Sequence, residues 1–89
     1  MMKRIIKDPA ATLDYQMDWS EWLGEDTITA SSWTVPPELV QVTHTHTDTA
    51  AVVWVSGGAA GSSYNLVNQI TTAGGRIDER TLLLAVLER

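Results

Sequence analysis

The sequence predicts an all-β domain, a sandwich or barrel of about six or seven short strands. Three observations carry that prediction. Apolar and polar residues alternate with a period of two along most of the chain. Gly, Pro, Asp and Ser interrupt the alternation about every 8–12 residues, the spacing of turns in such folds. Between the interruptions, Val, Ile, Thr and Trp dominate, and these side chains fit a pleated, half-buried surface.

Leu13, Tyr15 and Met17 alternate with Asp14, Gln16 and Asp18, the pattern of a half-buried strand. Trp19 and Trp22 follow, spaced to suit one helical or 3₁₀ turn, and Gly24-Glu25-Asp26 resets the chain. Residues 27–35 (TITASSWTV) form the next strand. Ile28, Ala30 and Ser32 point one way, Trp33 and Val35 the other, so a bulge or a switch in which face is buried is expected near Ser31-Ser32. Pro36-Pro37 ends that strand, because neither residue can donate to a ladder. Residues 39–47 (LVQVTHTHT) are rich in β-branched side chains, and Asp48-Thr49 is a turn. Residues 50–56 (AAVVWVS) put Val53 and Val55 on one face and Val52 and Trp54 on the other. This most continuous apolar strand is expected at the centre of a sheet.

Residues 57–63 (GGAAGSS) form a tight connection of small residues. In residues 64–72, Tyr64, Leu66, Asn68 and Ile70 alternate against Asn65, Val67 and Gln69. Gly74 and Gly75 supply the positive φ that the next turn requires. Residues 81–87 (TLLLAVL) are continuously apolar, which fits a buried strand or a helix. Their shortness and their place after a hairpin-like turn favour the strand. Residues 1–9 are left as an N-terminal arm and residues 10–89 as a single domain. At this size the hydrophobic core is one and small, with about 60–65% of the unfolded surface buried. Trp33 and Trp54 are its expected aromatic members. Trp19 and Trp22 are expected nearer the surface, and with Leu23 they make up the expected interface.

Composition narrows the function. The formal net charge is −5, and the six basic residues are scattered, so the clustered cations of a nucleic-acid binder are missing. With no cysteine, disulfide frameworks and thiolate metal sites are ruled out. No apolar run approaches the roughly 20 residues of a membrane helix. The basic start has no apolar core segment of a secretory signal, so cytoplasmic synthesis is expected. Neither nucleic acid nor membrane is an expected partner, and no cofactor is expected.

The best metal candidate is His44-Thr45-His46. On a strand the two imidazoles share a side, which suits joint coordination, with Asp48 or a neighbouring strand supplying a third ligand. The plainer reading is two exposed histidines on a solvated Thr-rich face, and it is preferred, because zinc takes three or four ligands. Asp14, Asp18, Glu21, Glu25 and Asp26 could serve acid–base chemistry or a hard cation, but they follow no EF-hand spacing and read as a solvated face. The glycine-rich 57–63 stretch lacks the Lys-[ST] of a phosphate loop. Its serines have no histidine base in a recognisable motif. No catalytic residue is assigned.

Several segments together resemble small tailed-bacteriophage virion proteins of the fiber–tail adaptor kind. They are Lys7-Asp8-Pro9, Leu13-Asp14-Tyr15, Asp18-Trp19-Ser20-Glu21-Trp22-Leu23, Asp26-Thr27-Ile28, Ser32-Trp33-Thr34-Val35, Ser56-Gly57-Gly58 with Gly61 and Tyr64, and Thr71-Thr72 with Gly75-Arg76. The resemblance runs from Lys7 to about Val86. It implies an immunoglobulin-like β-sandwich of six to seven antiparallel strands. It further implies a non-enzymatic phage or prophage structural protein, made in the bacterial host and carried in the virion. Such a protein docks on other virion proteins in the tail or head–tail region, with a homo-oligomer in the particle as a further expectation. The His44-Thr45-His46 stretch lies outside the pattern. At Tyr64, which follows Gly61-Ser62-Ser63 and opens an alternating strand, the implied fold places a tyrosine corner, a buried ring whose hydroxyl bonds back to nearby backbone; the alternative reading is an ordinary core tyrosine. The competing reading from residues alone is a carbohydrate- or ligand-binding module using exposed tryptophans. A small enzyme has the least support, because no convergent carboxylates or imidazoles stand out.

Overall fold

A computed structural model describes the backbone of residues 2–87 and the side chains of residues 6–87. Met1 of the expected arm and Arg89 of the expected domain lie outside the described residues. The strands are β1 (Met2–Lys7), β2 (Leu13–Asp18), β3 (Ile28–Thr34), β4 (Leu39–His46), β5 (Ala50–Gly57), β6 (Ser63–Thr72) and β7 (Ile77–Val86), with one short helix, α1 (Ser20–Leu23), between β2 and β3. They form a four-stranded sheet of order β1-β7-β6-β3 and a three-stranded sheet of order β2-β5-β4.

The alternation in the sequence becomes the two faces of these sheets. Ala51, Val53 and Val55 of β5 point inward, and Tyr64, Leu66, Asn68, Ile70 and Thr72 of β6 do the same from the other sheet. Leu82, Leu84 and Val86 of β7 complete the centre of the core. β7 lies between β1 and β6. An interior strand satisfies its backbone on both edges, and this position accounts for the apolar run that could also have been helical. The strand is longer than expected, because it starts at Ile77.

Four sequence expectations are corrected. The strands are not all antiparallel, since β1 runs parallel to β7 with Lys7 opposite Val86. No hairpin joins these two strands, so loop geometry does not dictate their direction. The residues assigned to an arm are therefore largely a sheet strand. The β3 bulge lies at Thr29, where the register passes from Ile28 opposite Thr72 to Ala30 opposite Thr71. That extra residue lets both Ile28 and Trp33 face the core. Finally, Trp54 is not a core residue. It is 39% exposed, whereas Trp33 is buried as expected. Val53 and Val55 claim the inner face of β5, so Trp54 must take the outer one.

The connection after β5 is shaped by glycine. Gly58 has φ +96, and a Cβ there would lie 2.8 Å from Val86 Cγ2 and 3.0 Å from Leu39 Cδ2. Both its backbone conformation and its close packing exclude a side chain.

Candidate interaction surface

The Trp19–Leu23 turn was the expected interface, and the structure turns most of it inward. Trp19 is completely buried and Leu23 nearly so. The Trp19 backbone N–H donates to Thr49 O at 2.9 Å, and Leu23 N–H donates back to Trp19 O at 2.9 Å, closing the turn. The Trp19 indole Nε1–H donates to Asn68 Oδ1 at 2.9 Å. Asn68 Nδ2 in turn donates to Ser31 Oγ and Ser32 O, each at 3.0 Å. A buried amide must find partners for its donors and its acceptor, and Trp19 is one of them. The burial of both residues corrects the surface placement of Trp19 and Leu23. Trp22 stays half-buried.

Two arginines from β7 and its approach hold this turn. Arg80 lies over the Trp19 ring at 4.3 Å, and its Nη1 donates to Asp18 O at 3.2 Å. The Arg76 guanidinium lies 4.1 Å from the Trp22 centroid, with Nη2 donating to Leu23 O at 3.0 Å. The two indoles meet edge to face, their centroids 5.3 Å apart. Arg76 Nε also pairs with Asp26 Oδ2 at 3.1 Å. The Thr72 hydroxyl, the Thr27 and Gly74 N–H groups and Arg76 together hold the Asp26 carboxyl down to about 2. The acidic segment is thus divided in use. Asp26 is a structural anchor, while Asp18 and Glu21 line a shallow recess of ≈ 240 Å³ with Ser20 and Arg80.

His44 and His46 are both exposed on β4. They lie opposite Val53 and Ala51 of β5, so they belong to the sheet face that turns toward the core. His46 Nδ1 lies 3.1 Å from Thr47 O. In that contact the carbonyl accepts. Among the described residues, no group of three His, Cys, Asp or Glu side chains is placed to hold a metal ion.

Tyr64 is buried at the start of β6. Its hydroxyl accepts from the Ala59 N–H at 3.0 Å and donates to Glu38 Oε2 at 3.0 Å. Lys7, which the sequence places in the arm and at the start of the family resemblance, is fully buried. Its Nζ donates to Asp8 O and Gly57 O, both at 2.8 Å. Burial pushes its ammonium below the usual lysine range. Nothing local in the sequence signals this role, because the Gly57 carbonyl is distant along the chain.

Among the described residues the exposed large apolar side chains are spread over both sheets, with Ile6, Ile77 and Leu87 at the four-stranded sheet and Leu13, Val40, Val42 and Trp54 at the three-stranded one. On the outer face of the three-stranded sheet, Trp54 lies between Asp14 of β2 and Thr43 of β4, Val52 lies between Gln16 and Thr45, and Ser56 lies beside Val40. Val40 is 57% exposed and the bulged Val42 54%. By the same register both Asp14 and Asp18 of β2 lie on this face.

Residues 7–85 match the family described as podophage GP4 fiber-tail adaptor protein gp77. The chain belongs to that family. In this adaptor-family chain the matched span opens on Lys7, the buried end of β1, and closes on Ala85 in β7. It therefore takes in the Trp19 turn, both arginines, Tyr64 and the whole three-stranded sheet. No curated protein matches the chain. The family is one of phage tail adaptors, which agrees with the resemblance read from sequence and with a structural, adaptor role.

Proposed function

We propose that this chain is a non-enzymatic virion component that connects other tail proteins by docking through the outer face of its three-stranded sheet. The observation that carries this reading is the pair of exposed apolar side chains Trp54 and Val40 on that outer face, with the exposed bulge residue Val42 next to them in β4, on a domain of a tail-adaptor family. Exposed apolar side chains on one sheet face, here beside Thr43, Thr45, Gln16 and Asp14, are the kind of surface that interaction sites use. Tryptophan is also among the residues that dominate interface energetics. Trp22, the part of the expected interface still half-exposed, is a secondary contact at the rim of the turn.

The fold assigned to this function is an immunoglobulin-like sandwich. The order β2-β5-β4 corresponds to strands B-E-D, and β7-β6-β3 to G-F-C. Tyr64 then falls at the start of strand F, with its hydroxyl on backbone five residues upstream, which is the tyrosine-corner arrangement. The first strand departs from the constant-type pattern by lying beside the last strand.

Phage particles assembled with a Trp54→Arg chain test the reading. The expected result is loss of the chain from particles while the purified variant keeps its thermal transition, since Trp54 is outside the core. Normal incorporation would overturn the docking face. Trp22→Arg is expected to weaken incorporation less, and to lower stability because it removes the ring beneath Arg76. The carbohydrate-binding reading rests on the same exposed indole, flanked by Asp14 and Thr43. A tryptophan fluorescence shift on adding host glycans, abolished in Trp54→Arg, would favour it.

A further inference from the structure

We propose that two copies of this chain pair edge to edge through β4 about a two-fold axis at Thr45, and that the pairing builds a four-imidazole site for a divalent transition-metal ion of the zinc class. The proposal is independent of the docking face above. It starts from the edges of the two sheets. β1, β3, β2 and β4 are terminal in their sheets and leave one side of the backbone without a strand neighbour. Such edges invite further pairing, and charged side chains are the usual deterrent.

The edges differ in that deterrent. β1 reads MKRIIK and β2 reads LDYQMD, so each of these edges carries the charged side chains that deter further pairing. β3 is uncharged but short of regular pairing length, because its bulge at Thr29 and the prolines beyond Thr34 bracket it. β4 has eight residues, LVQVTHTH, with no Asp, Glu, Lys or Arg, and seven of them are exposed. Its own bulge, at Val42, falls mid-strand and leaves Thr43, His44, Thr45 and His46 as the uninterrupted segment.

Antiparallel pairing centred on Thr45 sets Thr45 against the partner's Thr45, a favourable cross-strand pair, and brings Thr43 opposite the partner's Thr47, the first residue beyond the strand. On the other face, His44 meets the partner's His46, and His46 meets the partner's His44. The side chains of directly opposed residues have Cβ atoms about 4.5–5.5 Å apart. Four imidazoles on one ribbon face satisfy the ligand number that one copy, with two, lacks. These histidines occupy the core-directed face of the three-stranded sheet yet remain exposed, so β4 overhangs the opposing sheet. In the pair, the continuous sheet would carry them in the seam between the two four-stranded layers. Neither β5 nor β3, the strands packed against β4, carries an ionisable group, and the nearest carboxylate along the chain is Asp48.

Sedimentation velocity of the full chain across a concentration series, with zinc chloride or with EDTA, tests the proposal. Zinc at about ten times its dissociation constant should strengthen dimerisation by about tenfold, at one metal per two chains. Replacing both histidines, His44→Gln with His46→Gln, should abolish the zinc effect. Thr45→Lys should give a folded monomer with or without zinc, its lysines opposed at the axis. A wild-type chain that stays monomeric at every concentration with zinc overturns the proposal. A Thr45→Lys chain that dimerises like wild type also overturns it, by placing the contact elsewhere. Circular dichroism of each variant separates lost pairing from lost folding.

Discussion

The Trp19 indole N–H donates to the Asn68 side-chain oxygen at 2.9 Å, joining the turn after β2 to the middle of β6 through the core. Asn68 would otherwise be a buried amide on a face of Leu66 and Ile70, and its two further bonds reach Ser31 and Ser32 on β3. One side chain therefore ties three separate segments together. Replacing it with the similarly sized Asn68→Leu leaves the indole N–H without its partner in a dry site. The expected loss is about 3 kcal/mol, because an orphaned buried polar group costs its full desolvation. Urea unfolding would read it. The double variant with Trp19→Phe should lose less than the sum of the two single variants, since the orphaned donor is gone.

Two tyrosines should respond in opposite ways to loss of the hydroxyl. The Tyr64 hydroxyl has two partners, Ala59 N–H and Glu38. The Tyr15 hydroxyl is buried with no hydrogen-bond partner, and burial with the nearby Asp14 charge raises its ionisation above the usual range. Tyr64→Phe should cost about 1–3 kcal/mol, whereas Tyr15→Phe should be neutral or stabilising, because it removes a desolvated group that makes no bond. Equal losses in thermal unfolding would contradict the assignment of the two sites.

The alternation in β5 and β6 made most of the fold legible before any coordinates. Val53 and Val55 opposite Val52 and Trp54, and Tyr64, Leu66, Asn68 and Ile70 on one side, all fall on the faces the period of two assigns. The choice of which β5 face is inside was not legible. Both faces are apolar, and size favoured the side with tryptophan, but a three-stranded sheet covered on one side leaves the other to solvent. The same limit applied to Trp19. Its burial depends on Asn68, 49 residues away, and on Arg80 lying over its ring, neither of which a local pattern reveals. β1 escaped for a related reason: MKRIIK has no clean alternation, and its partner is the last strand. Lys7 is part of the same blind spot, since a lysine seldom reads as a core residue.

The connection between β5 and β6 offers a third test, through two glycines that differ in surroundings. Gly61 has φ +85 and open space where a Cβ would sit, while Gly58 combines φ +96 with close contacts to Val86 and Leu39. Gly61→Ala should cost about 1–2 kcal/mol, from the left-handed backbone alone. Gly58→Ala should lose about 1–3 kcal/mol more, from overpacking. Equal losses in denaturant midpoints would mean that the Gly58 loop relaxes freely.

Acid should loosen the Trp22 turn before it unfolds the sandwich. The Thr72 hydroxyl, the Thr27 and Gly74 N–H groups and Arg76 hold the Asp26 carboxyl down to about 2, against 3.8 for the unperturbed group. Its ionised form is thus favoured by the folded state. The stability it supplies is complete above the unfolded value of 3.8 and is lost as pH falls through about 2. Over that window the unfolded chain binds a proton that the folded chain resists. Asp26→Asn should remove this increment at neutral pH and flatten the stability profile between the two values. Arg76 also covers Trp22 and bonds Leu23 O, so protonating Asp26 releases a guanidinium that orders the turn. Tryptophan fluorescence of the wild-type chain should therefore shift across the same acid window. The Asp26→Asn chain should show its shifted emission already at neutral pH, and an unchanged acid profile in that variant would remove Asp26 as the anchor.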